Sequence, residues 1–411
     1  MKHLIIGNGI AGIHAAGAIR EMDTEAEICM ISDETVPPYS RPMISYVLDG
    51  SQPHEKLPLF PGNIYETLKI SPILGQRVVI LDPDSQSVRL EDGTGIDFHR
   101  LLIASGADAR KIRVQGAELE NIFTMRTQKD VLDQLEAIAK GVKTALVLGG
   151  GLVGFKAAHA LLKRSIRVFM LITSPYPLAM QVDEIAGRMI LKELEAQGLI
   201  VKTGVSVAAF DGDVRVERAI LDTGESLECD LVIAGKGVEP SLDFISREKM
   251  AMDTGILVDD YLQSTIPGIY AAGDTAESID IARQTRWVNA IWPEAAVQGR
   301  IAGFNMAGRP VVYPGSLSRN VMRVFDLDVM TLGLANPDPG EGFTILRTGG
   351  ETKGIYRSLV FRDNILAGAI LVNRIEQGGI LRALIENRVP VTIPMAGLAS
   401  LDFDFSKLLQ S

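Results

Sequence analysis

The chain has 411 residues, too many for one ordinary hydrophobic core, so two or three domains are expected. Hydrophobic residues make up 46% and charged residues 22%, a globular composition that excludes a disordered chain. The formal net charge of -10 argues against nonspecific nucleic-acid binding, which needs clustered cations. Every apolar run stops short of the roughly 18 residues that a membrane span requires.

The first predicted element is a strand, Leu4-Ile5-Ile6, entering Gly7-Asn8-Gly9-Ile10-Ala11-Gly12. An Ala-rich helix from Ile13 to Arg20 and a strand from Glu27 to Ile31 follow. The apolar stretch behind Lys2 is not read as a secretory leader, because the glycines interrupt it and the chain runs on into a strand. Cys29 lies in that strand, and Cys229 is the only other cysteine. No CxxC or CxxxxC pair exists, so buried free thiols are expected, with neither a local redox disulfide nor a cysteine-rich metal site. Such sparse cysteine suits a reducing cytoplasm. The turn-rich stretch Asp92-Gly93-Thr94-Gly95 precedes a buried strand, Leu101-Leu102-Ile103, that ends in Ala104-Ser105-Gly106.

The pattern then repeats. Leu146-Val147-Leu148 enters Gly149-Gly150-Gly151-Leu152-Val153-Gly154, followed by a helix from Phe155 to Arg164 and a strand from Ile166 to Ile172. A turn at Asp222-Thr223-Gly224-Glu225 again precedes a buried run, Leu231 to Ala234, closing on Gly235-Lys236-Gly237. In each copy the first glycine permits the tight turn, the second admits a pyrophosphate and the third lets helix and strand pack closely. One GxGxxG is weak evidence. Two copies, each set between strand, helix and strand, argue for two dinucleotide sites. Beyond about residue 318 the alternation changes. Segments 321–325, 328–333, 355–361 and 365–371 read as antiparallel strands, and 377–386 as a helix. The predicted fold class is α/β: two Rossmann-like dinucleotide-binding domains with a C-terminal α+β domain. The five histidines, His3, His14, His54, His99 and His159, form no spaced metal set, and structural roles are expected for them.

These motifs resemble the FAD-dependent pyridine nucleotide–disulfide oxidoreductase superfamily over essentially the whole chain. Pro38-Tyr39-Ser40-Arg41-Pro42-Met43-Ile44-Ser45 resembles the flavin-facing stretch of its NADH:rubredoxin reductase, ferredoxin reductase and nitrite reductase branch. The resemblance implies an FAD domain from residues 1–112 and 245–318, an NAD(P) domain at 113–244 and a C-terminal domain at 319–411. It implies FAD contacts at Gly7, Gly9, Ile10, Ala11, Gly12, Asp33, Arg41, Val78, Ala104, Ser105, Gly106, Arg126, Gly273, Asp274 and Trp292. Asp33 would accept the adenosine ribose hydroxyls. Arg41 and Arg126 have a surface salt bridge as their ordinary alternative, and Trp292 has plain core packing. The helix that Trp292-Pro293 begins would turn its positive end to the flavin, favouring the reduced anionic form. For NAD(P), the implied residues are Gly149, Gly151, Leu152, Val153, Gly154, Thr173 and Gly237.

Two departures bear on chemistry. Where relatives carry a redox cysteine, or a lysine paired with a glutamate, this chain has Tyr46 and Lys156. A thiolate–flavin mechanism is therefore excluded by this comparison, and no catalytic side chain is assigned. Tyr46 and Lys156 are modulator candidates. Tyr46 either covers the flavin or simply packs, and Lys156 either meets a phosphate or is solvated. The second strand of the repeat ends Leu171-Ile172-Thr173-Ser174, with Ile172 where an NAD-selecting acid is expected. The reading is an oxidoreductase passing electrons between NAD(P)H and an iron–sulfur or rubredoxin-like carrier through the flavin. Its alternative is a flavin subunit of a larger redox complex with a degenerate NAD(P) site. A non-enzymatic redox sensor is a weaker rival. Quaternary structure stays open between a homodimer and a complex subunit.

Overall fold

The computed structural model describes residues 1–338 and 342–409, with the side chains of 396 and 409 left aside. The chain forms two compact units. The first comprises Met1–Pro42, Glu55–Asp108 and Val238–Leu317. Its centre is a five-stranded parallel sheet in the order Ile269–Ala271, Arg100–Ile103, Lys2–Ile6, Glu27–Ser32, Ile70–Leu74. The central strands are continuous apolar runs because both faces of the sheet are covered. Leu4, Ile5, Met30, Leu101 and Leu102 are wholly buried.

Two helices of this unit, Ile10–Met22 and Trp292–Met306, pack through small residues. A Cβ on Gly299 would strike the Ala11 carbonyl, and one on Gly303 would strike that of Ala15. These two glycines set how closely the helices approach. A three-stranded antiparallel meander, Val78–Asp82, Ser87–Leu90 and Gly95–Asp97, turns at the Asp92-Gly93 stretch expected from sequence.

His3 lies in the first strand and is 2% exposed. Its Nδ1 has no partner among the described residues, and burial, aided by the chain's amino group, lowers its pKa from 6.5 to about 4. Between those values the unfolded chain binds more protons than the folded one, so stability rises with pH there. The His3 contribution is fully present above 6.5 and is lost as the pH falls through about 4. Urea unfolding at pH 7 and pH 4.5 is the check. The parent should lose more stability across that step than His3→Phe, and equal losses would count against a buried neutral imidazole.

The second unit comprises Met43–His54, Ala109–Gly237 and Ser318–Ser411. Its parallel sheet runs Ile200–Thr203, Arg167–Ile172, Thr144–Leu148, Leu231–Ala234, Ile122–Thr124. A second meander follows, Val207–Asp211, Arg218–Leu221 and Ser226–Glu228. The C-terminal part is a five-stranded antiparallel sheet in the order Arg319–Val324, Leu327–Gly333, Ile365–Val372, Ile355–Arg362, Thr344–Gly350, backed by the helix Gly378–Glu386. Sequence reading misses the strand Thr344–Gly350. It is an edge strand, largely half-exposed, and ends in two glycines with positive φ, so its apolar alternation is faint.

The C-terminal sheet is tied to the loop 176–183 within this unit. Tyr356 Oη donates to the Asp183 carboxylate at 2.5 Å, and Arg347 Nε does so at 3.2 Å. Asn336 Nδ2 donates to the carbonyls of Ala179 (3.2 Å) and Val182 (3.1 Å). Asp183 also caps the helix Glu184–Ala196, accepting from the Ala186 N–H.

Candidate functional site

In the first unit three strands end together on Gly7. Its N–H donates to the Ile31 carbonyl at 2.7 Å, and the Ala104 N–H donates to the Ile6 carbonyl at 2.8 Å. Gly7 has φ +108°, and a Cβ there would strike the Ala104 carbonyl. A Cβ on Gly12 would strike the Gly7 carbonyl, so the third glycine seats the helix on the loop. Gly9 differs. It caps the helix without a side chain, and among the described residues nothing lies within 4 Å of where its Cβ would be. Among the described residues no side chain caps the helix that begins Ile10-Ala11-Gly12, and its first N–H groups lie beside the open space at Gly9, a surface suited to an anionic pyrophosphate.

Asp33 follows the second strand and is exposed. Its loop is held by residues that sequence reading overlooks. Ser32 Oγ donates to Asn8 Oδ1 at 3.1 Å, and Asn8 Nδ2 donates to the Val36 carbonyl at 3.0 Å and to Tyr65 Oη at 3.2 Å. Arg41 forms an ion pair with Glu34, which also accepts from Tyr39 Oη at 2.8 Å. The Arg41 guanidinium lies 5.3 Å from the centre of the Tyr39 ring. The side chain of Val78 is buried in the core, opposite Leu90.

On the other side of the loop, Ser105 Oγ donates to the Ser241 carbonyl at 2.7 Å, and Gly106 has φ +72°. Gly273 has φ +78°. A Cβ on it would lie 3.4 Å from the Ala295 Cβ and 3.6 Å from the Ala11 Cβ. Its N–H donates to Gln298 Oε1 at 2.8 Å. The turn Ala272-Gly273-Asp274 is thereby brought beside the start of the first helix. Asp274 is half-exposed. Trp292 opens the last helix, partly buried against the core.

That helix start holds a group that sequence reading missed. Glu294 sits in its first turn and is 6% exposed. Tyr313 Oη donates to Glu294 Oε2 at 2.8 Å, and Gln298 Nε2 donates to Tyr313 Oη at 3.2 Å. Burial, then the neighbouring carboxylate, pushes the Tyr313 phenol well above its usual value. A carboxylate here offsets the positive helix end that the sequence reading relied on. An acid in a first turn is an ordinary signal, and its burial depends on Tyr313 from a later loop.

In the second unit the geometry repeats. The Gly149 N–H donates to the Leu171 carbonyl at 2.8 Å, and the Gly235 N–H donates to the Leu148 carbonyl at 2.7 Å. Gly149 has φ +105°, and a Cβ there would strike the Gly235 carbonyl. Gly154 is pressed on the Gly149 carbonyl. Gly151 again caps the helix bare, with nothing among the described residues within 4 Å of its Cβ position. Leu152 and Val153 are half-exposed, Thr173 is exposed, and Gly237 has φ +90°. Ile172 is buried, its Cγ2 2.7 Å from where a Gly150 Cβ would be.

Arg126, Tyr46 and Lys156 also belong to the second unit. The Arg126 N–H donates to the Asp130 carboxylate at 2.8 Å, beside the Thr127–Asp130 capping box. Tyr46 is 44% exposed on the short helix Ile44–Leu48, which packs against the helix Leu152–Lys163 bearing Lys156. Arg164 anchors that short helix through the Leu48 carbonyl, and Lys163 reaches Asp49 at 3.2 Å. Lys156 is half-buried with no ion pair or hydrogen bond among the described residues, and burial alone lowers its pKa.

Cys29 and Cys229 are free and buried, and burial pushes the Cys229 thiol up to about 12. A thiol so protonated is a poor nucleophile. Among the described residues no cluster of His, Cys, Asp and Glu is arranged for a metal, and no helix is long and apolar enough to cross a membrane.

Two glycine-loop βαβ units on parallel sheets, each with an open, uncapped helix start, define a protein built around two dinucleotides. Residues 1–294 match the family described as pyridine nucleotide-disulphide oxidoreductase, and residues 319–389 match the rubredoxin NAD+ reductase C-terminal domain. The chain belongs to the pyridine nucleotide-disulphide oxidoreductase family. It is an oxidoreductase whose cofactors are FAD and NAD(P)H.

Among its relatives, it is 31% identical to the NADH-dependent phenylglyoxylate dehydrogenase subunit epsilon of Aromatoleum evansii, over 95% of this chain and 93% of that one. It is 28% identical to the NADH-rubredoxin oxidoreductase of Clostridium acetobutylicum, over 94% of each. It spans about half, 48%, of the longer nitrite reductase [NAD(P)H] of Bacillus subtilis, at 29% identity over 95% of this chain. Among solved structures, the covalent putidaredoxin reductase–putidaredoxin complex contains a chain of the same fold, with TM-score 0.90 at 24% identity over 100% of this chain and 98% of that one.

Proposed function

We propose that the protein moves electrons between NAD(P)H and an iron–sulfur or rubredoxin-like carrier through FAD alone. The observation carrying this reading is the pair of open glycine loops, in a chain whose only two cysteines are buried. In this reading residues 1–112 and 245–318 hold FAD, residues 113–244 hold the nicotinamide nucleotide, and residues 319–411 form the C-terminal domain.

Bound FAD would supply the redox chemistry, accepting a hydride and giving up electrons singly. The chain supplies position and charge. The N–H groups behind Gly9 take the pyrophosphate, with Ile10, Ala11 and Gly12 forming the helix start. Asp33 takes the adenosine ribose hydroxyls. Asn8, Ser32 and Val36 fix the loop that presents Asp33. Ala104, Ser105, Gly106, Gly273 and Asp274 close the other side, with Val78 supplying backbone only. Arg41, ordered by Glu34 and Tyr39, and Arg126 supply positive charge. Trp292 and Glu294 set the character of the last helix start. Gly149, Gly151, Leu152, Val153, Gly154, Thr173 and Gly237 hold the nicotinamide nucleotide. Tyr46 and Lys156 stand as modulators and not as an acid–base pair.

The names of the rubredoxin-reducing relative and of the matching C-terminal domain support this choice of acceptor. The test is anaerobic turnover with NAD(P)H and a rubredoxin or [2Fe–2S] ferredoxin, following carrier absorbance. Carrier bleaching at catalytic protein concentration is expected. Reduced flavin beside a carrier that stays oxidised would overturn the choice of acceptor.

A second reading is favoured by the 31% identity, over nearly full length, to a named subunit of a larger enzyme. In it the chain is the flavin subunit of a complex and exchanges electrons with an iron–sulfur partner subunit. Co-purification of a stoichiometric partner from the native host, with carrier reduction only in its presence, would select this reading.

A further inference from the structure

The end of the strand Arg167–Ile172 is unusual in what it withholds. From Ile172 to Val182 the chain reads Ile-Thr-Ser-Pro-Tyr-Pro-Leu-Ala-Met-Gln-Val, with no charged side chain. The first acid beyond it, Asp183, is 6% exposed. Its carboxylate is taken by Tyr356, Arg347 and the Ala186 N–H. Glu184 pairs with Arg188 at 2.5 Å. Lys202, beside Leu171 on the neighbouring strand, pairs with Glu225 at 2.9 Å.

The uncharged polar groups are limited too. Ser174 Oγ donates to the Tyr176 carbonyl at 2.8 Å. Ile172 turns its side chain against Gly150, whose carbonyl accepts from the Leu178 N–H at 2.8 Å. Thr173 is left as the exposed side chain at the strand tip.

In a glycine-loop βαβ unit this strand tip meets the adenosine ribose. A carboxylate there accepts the 2′-hydroxyl and repels a 2′-phosphate, whereas an arginine grips the phosphate. Neither is present, so the two nucleotides differ little in the contacts this tip can offer. Specificity is a difference between two affinities, and it needs either a preferred contact or a repulsive one. We propose that the second site accepts both NADH and NADPH without strong preference, Ile172 standing where a selecting acid would be.

This proposal rests on the nicotinamide reading of the second glycine loop. The test is anaerobic stopped-flow reduction of the FAD-loaded protein by each nucleotide, for the parent, Ile172→Glu and Thr173→Arg. Parent rate constants for NADH and NADPH are expected within about tenfold of each other. Ile172→Glu should slow NADPH relative to NADH by at least about tenfold, since like charges are then juxtaposed. Thr173→Arg should shift the ratio the other way. Because Ile172 is buried, Thr173→Glu at the exposed position stands in if Ile172→Glu fails to fold.

A parent preference above about 100-fold would overturn the proposal, because the discrimination would then lie elsewhere. Unchanged ratios in folded variants at both positions would also overturn it. Reduction by neither nucleotide, with dithionite still effective, would instead remove the nicotinamide reading on which it rests.

Discussion

Gly9→Val should give a folded protein that purifies nearly free of FAD. The substitution meets no backbone conflict, since Gly9 has φ -72° and ψ -173°, which a β-branched residue adopts readily. Among the described residues nothing lies within 4 Å of its Cβ position, so the apoprotein has room for the new side chain. In the functional reading that same space receives the pyrophosphate. Overpacking costs about 1–3 kcal/mol. Spent on the ligand and not on the fold, it weakens FAD binding by about 5- to 140-fold. The measurement is flavin content per chain, with circular dichroism and size-exclusion volume as controls. Gly7→Val makes the contrast: φ is +108° and the Ala104 carbonyl is in the way, so that variant should lose the fold as well. A fully yellow Gly9→Val protein would move the flavin away from this loop.

Gly151→Val should stay yellow and lose its response to nicotinamide. The local geometry is the same, with φ -81°, ψ -177° and an open Cβ position, but the loop belongs to the second unit. Flavin content should match the parent. The rate of flavin reduction by NADH or NADPH should fall by about 100-fold, the scale of a reactant displaced by roughly an ångström. Dithionite reduction should be unchanged. Together the two variants separate the loops: one loses the flavin, the other keeps it and loses the donor. Equal loss of flavin in both would contradict the division of labour between the units.

Much of this arrangement is legible in the chain because its signals are local. Each glycine loop, the apolar strand before it and the Ala-rich helix after it lie within about 30 residues, the span of one βαβ unit. The place of Asp33, exposed just past the second strand, follows from its offset. The α/β class with an antiparallel C-terminal part follows from the switch in alternation. What escapes depends on distant partners. Asn8 looks like a loop residue until Ser32, Val36 and Tyr65 are placed around it. Glu34 looks like an acid beside Asp33, but it orders Tyr39 and Arg41. Glu294 needs Tyr313 to become a buried carboxyl group. Asp183 passes as a simple helix cap until Tyr356 and Arg347 arrive from the C-terminal sheet. The strand Thr344–Gly350 is hidden because an edge position asks little of its side chains.

The central claim is that electrons pass through the flavin with no second redox centre in the chain. Anaerobic titration of the FAD-loaded protein with NADH or NADPH, following flavin absorbance, tests it most directly. One equivalent of nucleotide per flavin should complete the bleaching, with the same endpoint in a Cys29→Ser, Cys229→Ser variant. A requirement for two equivalents in the parent would reveal a further two-electron centre, and failure of both nucleotides to bleach the flavin would contradict the account at its root.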